Sequence, residues 1–156
     1  MLGTFPAGSQ PVAVLFDGKS IWISDAGTDK VTNLRRRDGA LLGFVKVGQT
    51  PLALTFDGSK IWVANSNDST VTAFRVSDRV VQGTFSVPQF PAGLTYDGSK
   101  IWVTAPLEDE VTELSAKTGN LLGSVSVGSQ PQDVISDGRS VWVTNLASNT
   151  VTKISP

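Results

Sequence analysis

The chain has 156 residues, 40% of them hydrophobic and 17% charged, and its 13 Lys and Arg against 14 Asp and Glu leave a formal net charge of −1. This is enough globular chain for one domain, and it excludes a disordered tail, a coiled coil, collagen and bulk attraction to nucleic acid or anionic membrane. The absence of Cys and His removes disulfides, thiolate metal sites, thiol nucleophiles, the commonest general base and the commonest zinc ligand, and with them most familiar hydrolase and lyase mechanisms.

The first predicted element is a strand over residues 2–7, because Gly3-Thr4-Phe5 aligns with Gly83-Thr84-Phe85 further along. From there the chain repeats with a period of 40, carried by Pro11, Pro51, Pro91 and Pro131, by Trp22, Trp62, Trp102 and Trp142, and by an Asp-Gly pair before each Trp. In sequence register the units are 3–42, 43–82, 83–122 and 123–156 of a single domain. Each contains short runs rich in Val, Ile, Phe, Trp and Thr between turn residues, which predicts strands.

In the second unit the strands are 52–56, 60–65, 70–76 and 81–87, here termed A to D. The Ile-Trp-Val centre of strand B lacks polar alternation, so both of its faces are covered, whereas Phe85 and Val87 alternate with Thr84 and Ser86 in strand D. Sheets buried on both faces inside and half exposed at their last strand are the blades of an all-β propeller. The Trp side chains are expected to fill the gaps between blades.

The last unit stops after strand C, so the segment 2–7 is expected to complete the blade of 131–156. Closure on the same chain gives four blades; exchange with a second chain gives eight. The small residues Ala13, Ala53 and Gly93 on the inner strands, and blades of only 40 residues, favour the closed homodimer of eight blades with two-fold symmetry.

The segments FDGSKIWVANSNDSTVT and YDGSKIWVTAPLEDEVT, with Pro-x-x-Leu-Thr before them, resemble the YVTN-type β-propeller repeats. The resemblance spans residues 3–156 and implies a propeller, typically of six to eight blades. For function it implies little, since such repeats occur in surface-layer proteins, binding proteins and a few enzymes. Related lyases use histidines and a metal, for which this chain has no counterpart.

Propeller ligands usually sit in the depression formed by the D-to-A and B-to-C loops. The former supply Gln10, Gln49, Gln89, Phe90 and Gln130; the latter supply Asp25, Asn65 and Asn145. Asp133 joins them from an inner-strand position where the other units carry Ala or Gly. A polar cup of this kind suits a small polyol, sugar or peptide, although turns also use such residues for local bonds. No cofactor or metal site is expected, since Glu108-Asp109-Glu110 occurs in one copy only and no loop has EF-hand spacing.

At the opposite end, Arg35-Arg36-Arg37 is the one signal for phosphate, and a nucleic-acid partner is not expected. No basic segment followed by an apolar stretch opens the chain and no run approaches a membrane span, so membrane association is not expected and no compartment is assigned. A binding module, a ligand-free repeat scaffold (natural or engineered) and a carboxylate-dependent carbohydrate-active enzyme or lyase all remain open, with binding favoured.

Overall fold

The computed structural model describes residues 3–156, all of them strand, turn or irregular chain with no helix. The first sheet contains β1 (Pro11–Phe16), β2 (Ser20–Asp25), β3 (Lys30–Arg35) and β4 (Leu41–Lys46); the second contains β5 (Pro51–Phe56), β6 (Lys60–Asn65), β7 (Thr70–Arg75) and β8 (Val81–Ser86). The third contains β9 (Leu94–Tyr96), β10 (Lys100–Ala105), β11 (Glu110–Ser115) and β12 (Leu121–Ser126); the fourth contains β13 (Pro131–Ser136), β14 (Val141–Asn145) and β15 (Thr150–Ile154). Every sheet is an antiparallel meander in sequence order. These are the blades of a propeller-type fold.

The blades stack in series. Their inner strands pack β1 on β5, β5 on β9 and β9 on β13. Three apolar clusters fill the seams: Trp22 with Ile61, Val63 and Phe74; Trp62 with Leu94, Ile101 and Leu114; Trp102 with Val134, Val141 and Ile154. Each indole therefore covers the next blade, and burial on this scale contributes roughly 1.5–3 kcal/mol per large side chain.

Hydroxyls at the end of strand B tie the inner strands together. Ser24 accepts the Ala13 N–H at 3.0 Å and donates to the Leu52 carbonyl of the next blade at 2.8 Å. Thr104 accepts from Gly93 at 2.7 Å and donates to Gln132 at 3.1 Å. The Ala13, Leu52 and Gln132 groups lie where strand A shifts register, between Pro11 and Val14, Pro51 and Leu54, and Pro131 and Val134, and Gly93 lies just before the three-residue β9.

At the C-to-D turns, Gly39 and Gly119 have φ of 68° and 78°, and Arg79 holds the same left-handed backbone at 61° in the second blade. Its guanidinium reaches back to the Asn33 side-chain oxygen at 3.2 Å, joining the first two blades.

The fourth sheet has three strands. Residues 3–8 form no strand, and within the chain β15 has no fourth partner among the described residues; Leu2 of the predicted 2–7 strand lies outside them. Completion of that blade by its own chain is therefore not made. Of that segment, Phe5 lies instead against the first blade, its ring beside Gly39.

Candidate functional site

Backbone bonds link the B-to-C and D-to-A loops into one layer at one end of the blades. Ala26 donates to the Gln10 carbonyl at 2.9 Å, Ser66 to Thr50 at 3.0 Å and Leu146 to Gln130 at 2.9 Å. Side chains bridge the same loops: Asp29 accepts the Thr50 N–H at 3.0 Å, Asp68 that of Gln49 at 2.7 Å, and Asp109 that of Gln130 at 2.9 Å.

The predicted residues divide by depth. Asp25, Asn65 and Asn145 are buried at the end of strand B. The Asp25 carboxylate accepts from the Ser9, Gln10 and Gly27 N–H groups and from the Thr28 hydroxyl. Burial pushes its pKa up, but the Thr28 hydroxyl and the backbone donors outweigh that and hold it below the usual carboxylate value. Asn65 donates to Thr70 and Thr72, and Asn145 to Thr150 and Thr152, leaving each amide oxygen without a partner among the described residues. These three residues support the loops from below and present no surface to a ligand.

Gln10, Gln49, Gln89, Phe90 and Gln130 are exposed on the same layer. Asp133 is also exposed, on β13, where its carboxylate accepts the neighbouring Val134 N–H at 2.9 Å. The acidic run at 108–110 is tied into the fold, with Asp109 bridging to Ser129 and Gln130 and Glu110 accepting from Ser124. Among the described residues no group of three or more Asp or Glu is placed to hold a metal ion.

The backbone distinguishes this end from the other. Asp29, Ser69, Asp109 and Asn149 in the B-to-C loops, and Thr50, Phe90 and Gln130 in the D-to-A loops, all have φ between 52° and 56°. At the other end such conformations fall to Gly18, Gly39, Gly58, Gly98, Gly119 and Gly138, Arg79 excepted. Side chains in this region cost roughly 1–3 kcal/mol each. The bridges explain Asp29 and Asp109; among the described residues no hydrogen bond engages the side chain of Phe90 or of Gln130.

The opposite end is built on a motif that turn chemistry alone does not reveal. Each Asp of the Asp-Gly pair accepts the indole N–H five residues on: Asp17 from Trp22 at 2.8 Å, Asp57 from Trp62 at 2.8 Å, Asp97 from Trp102 at 2.6 Å and Asp137 from Trp142 at 2.9 Å. The other carboxylate oxygen takes the backbone N–H groups two and three residues on. For Asp17, Asp57 and Asp97, burial raises the pKa but these donors overcome it; for Asp137 the Trp142 indole leads and the value falls to about 2.

A depressed carboxylate pKa gives stability that is present above the unfolded value near 3.8 and is lost as pH falls through the folded value. Melting temperatures should therefore drop between about pH 4 and about pH 2, and Asp57→Asn should flatten that drop. Thermal melts followed by circular dichroism across this range check it.

A cleft of about 690 Å³ lies at this opposite end between the first two blades, lined by Trp22, Phe56 and Arg75 among others. None of the predicted site residues borders it. In the arginine run, Arg35 and Arg37 both pair with Asp38, at 3.3 and 3.2 Å, and the Arg36 guanidinium lies 5.4 Å from the Phe16 ring centroid. The run is thus largely engaged locally.

No family model matches the sequence, and no curated protein matches it. The fold is similar to hydrazine synthase of Kuenenia stuttgartiensis, at a TM-score of 0.76 and 19% identity over 94% of this chain and 49% of that one. It is also similar to virginiamycin B lyase of Staphylococcus aureus, at a TM-score of 0.74 and 14% identity over 94% and 55%. A streptogramin B lyase gives a TM-score of 0.76 at 12% identity over 94% and 54%. The chain spans about half the length of these solved structures, and at such identities the likeness concerns architecture alone: four stacked blades of a β-propeller.

Proposed function

We propose that this is a non-catalytic binding module of the YVTN-type repeat kind, which takes a small polar ligand, such as a sugar, polyol or short peptide, on the layer of D-to-A and B-to-C loops. Gln89, Phe90 and Gln130 make the contacts, with Gln10 and Gln49 extending the same surface. The observation that carries this reading is the left-handed backbone at the exposed Phe90 and Gln130, whose side chains are engaged by no hydrogen bond among the described residues. Side chains kept where glycine would cost less are side chains in use. Exposed amides beside an exposed aromatic ring match the chemistry of neutral polar ligands.

A carboxylate-based enzyme draws less support. The Asp25 carboxylate is saturated with donors and buried, so it has no free lone pair for a substrate, and Asp133 alone provides no acid–base pair.

The test is a thermal-shift screen with neutral mono- and disaccharides, polyols and short peptides. A ligand at a hundred times its Kd adds about 2.7 kcal/mol, which raises the melting temperature of a chain this size by roughly 5–10 °C. Gln89→Ala combined with Gln130→Ala should remove the shift while leaving the unliganded melt in place. Absence of a shift with every class would favour the ligand-free scaffold.

A further inference from the structure

The four repeats place the same residue types in different surroundings at the two ends of the stack. Trp22, Trp62 and Trp102 are each 1% exposed, whereas Trp142 is 36% exposed. Val151 is 60% exposed where Val31, Val71 and Val111 are fully buried. At the other end Val14 is 72% exposed, against 4% at Val134. The trailing face of the last blade thus lacks what Trp102 has in Val134, and the leading face of the first lacks an indole.

We infer that a second copy of this chain covers both faces, its residues 3–7 pairing with β15 as a fourth strand and its first blade packing on Trp142, reciprocally, to close an eight-bladed ring. This inference is independent of any ligand at the cup. Four structural details point to the second copy as the occupant.

First, the N-terminal segment lies where the outer strand of a preceding blade would lie, although it forms no strand within its own chain. The Phe5 ring lies beside Gly39 as the Phe85 ring of β8 lies beside Gly119 of the following blade, and both rings fold back over the glycine two residues earlier. Second, the register is set by the repeat. Val71 faces Phe85, Thr72 faces Thr84 and Ala73 faces Gly83 across β7 and β8; two periods of 40 convert these pairs into Val151 with Phe5, Thr152 with Thr4 and Lys153 with Gly3. Trp142 then stacks on the partner's Phe5 as Trp62 does on Phe85, at 5.7 Å.

Third, Thr144 occupies the position from which Ser24 and Thr104 donate to the next blade, and with no next blade among the described residues it turns back to the Asp133 carbonyl at 3.4 Å. In the ring that hydroxyl meets the partner's Val12 carbonyl, the counterpart of Leu52. Fourth, the two exposed faces are complementary by the repeat: Val14 stands where Val134 meets Trp102, so the first blade of one copy offers Trp142 of the other the same partner. Reciprocal exchange makes the two junctions identical, as closed two-fold symmetry requires, and it removes the unpaired edge of β15.

The experiment uses the full chain, which has no native cysteine. The Thr72 and Thr84 hydroxyls lie 3.2 Å apart, so Thr4→Cys with Thr152→Cys places two thiols within disulfide reach across the proposed junction. After oxidation the product should run at about 33 kDa, twice the 16.5 kDa of one chain, and return to one chain on reduction. Adding Val14→Lys should lower the cross-linked yield at least about tenfold, the weakening that about 1.4 kcal/mol produces. An oxidised species of 16.5 kDa, a ladder of larger species, or no disulfide in a chain that keeps its strand signal would each overturn the inference. Sedimentation equilibrium of the unmodified chain gives a second reading: about 33 kDa supports it and 16.5 kDa overturns it.

Discussion

Trp62→Ala should destabilise the protein by about 3–5 kcal/mol, the usual range for truncating a fully buried aromatic side chain. Trp62 is 1% exposed and fills the seam between the second and third blades, against Leu94, Ile101 and Leu114. Both blades border the resulting cavity, and neither can collapse into it without shifting its own four-stranded ladder. Phe85, stacked on the indole at 5.7 Å, loses its ring partner as well. Because a domain of this size has roughly 5–15 kcal/mol in all, the variant should melt about 6–20 °C lower. Urea titration gives the free energy directly; a loss under about 1 kcal/mol would mean that the seams do not hold the blades together.

The second large effect is expected at Asp57→Ala. Its side chain is 6% exposed, and it accepts the Trp62 indole N–H at 2.8 Å and the Lys60 and Ser59 N–H groups at 2.7 and 2.9 Å. Removing the carboxylate leaves an indole N–H buried without an acceptor and unlatches the turn between β5 and β6. Each buried donor left unsatisfied costs about 1–3 kcal/mol, so a loss of about 2–4 kcal/mol is expected, with the indole fluorescence shifting as its polar contact disappears. The Trp62→Ala and Asp57→Ala losses should not add, because both act on one bond; a double-mutant cycle reads the coupling. Full additivity would show that the tether contributes nothing beyond the turn.

The repeat, its strands and its stacking were legible in the sequence because a period of 40 without insertion writes each blade in the same letters. The tether was not, because an aspartate before glycine is explained sufficiently by the turn it makes. Its signal is the constant separation of five residues from Asp to Trp in all four copies. The bulge in strand A leaves no mark in residue type, since the freed N–H groups are served by Ser24 and Thr144 from another strand.

At the cup, the exposed amides could be located from loop position, but the depth of Asp25, Asn65 and Asn145 could not, as polar residues in loops and buried loop supports look alike. The third repeat carries the clue: Ala105 stands at the same position, and a site that accepts Ala in one copy faces inward. Exposure at the two ends of the stack was unreadable for a related reason. The residues there are those of a seam, and what distinguishes them is that no neighbouring blade stands beside them among the described residues.

The central claim is that position in the stack, and not residue identity, decides which indoles meet water, and that a second copy supplies the missing neighbour. Fluorine NMR of the chain labelled with 5-fluorotryptophan tests it most directly, through the shift of each resonance between light and heavy water. The account predicts four indoles equally shielded from solvent at concentrations where the pair forms. A resonance that is lost in Trp142→Phe and stays solvent-sensitive at every concentration would contradict it.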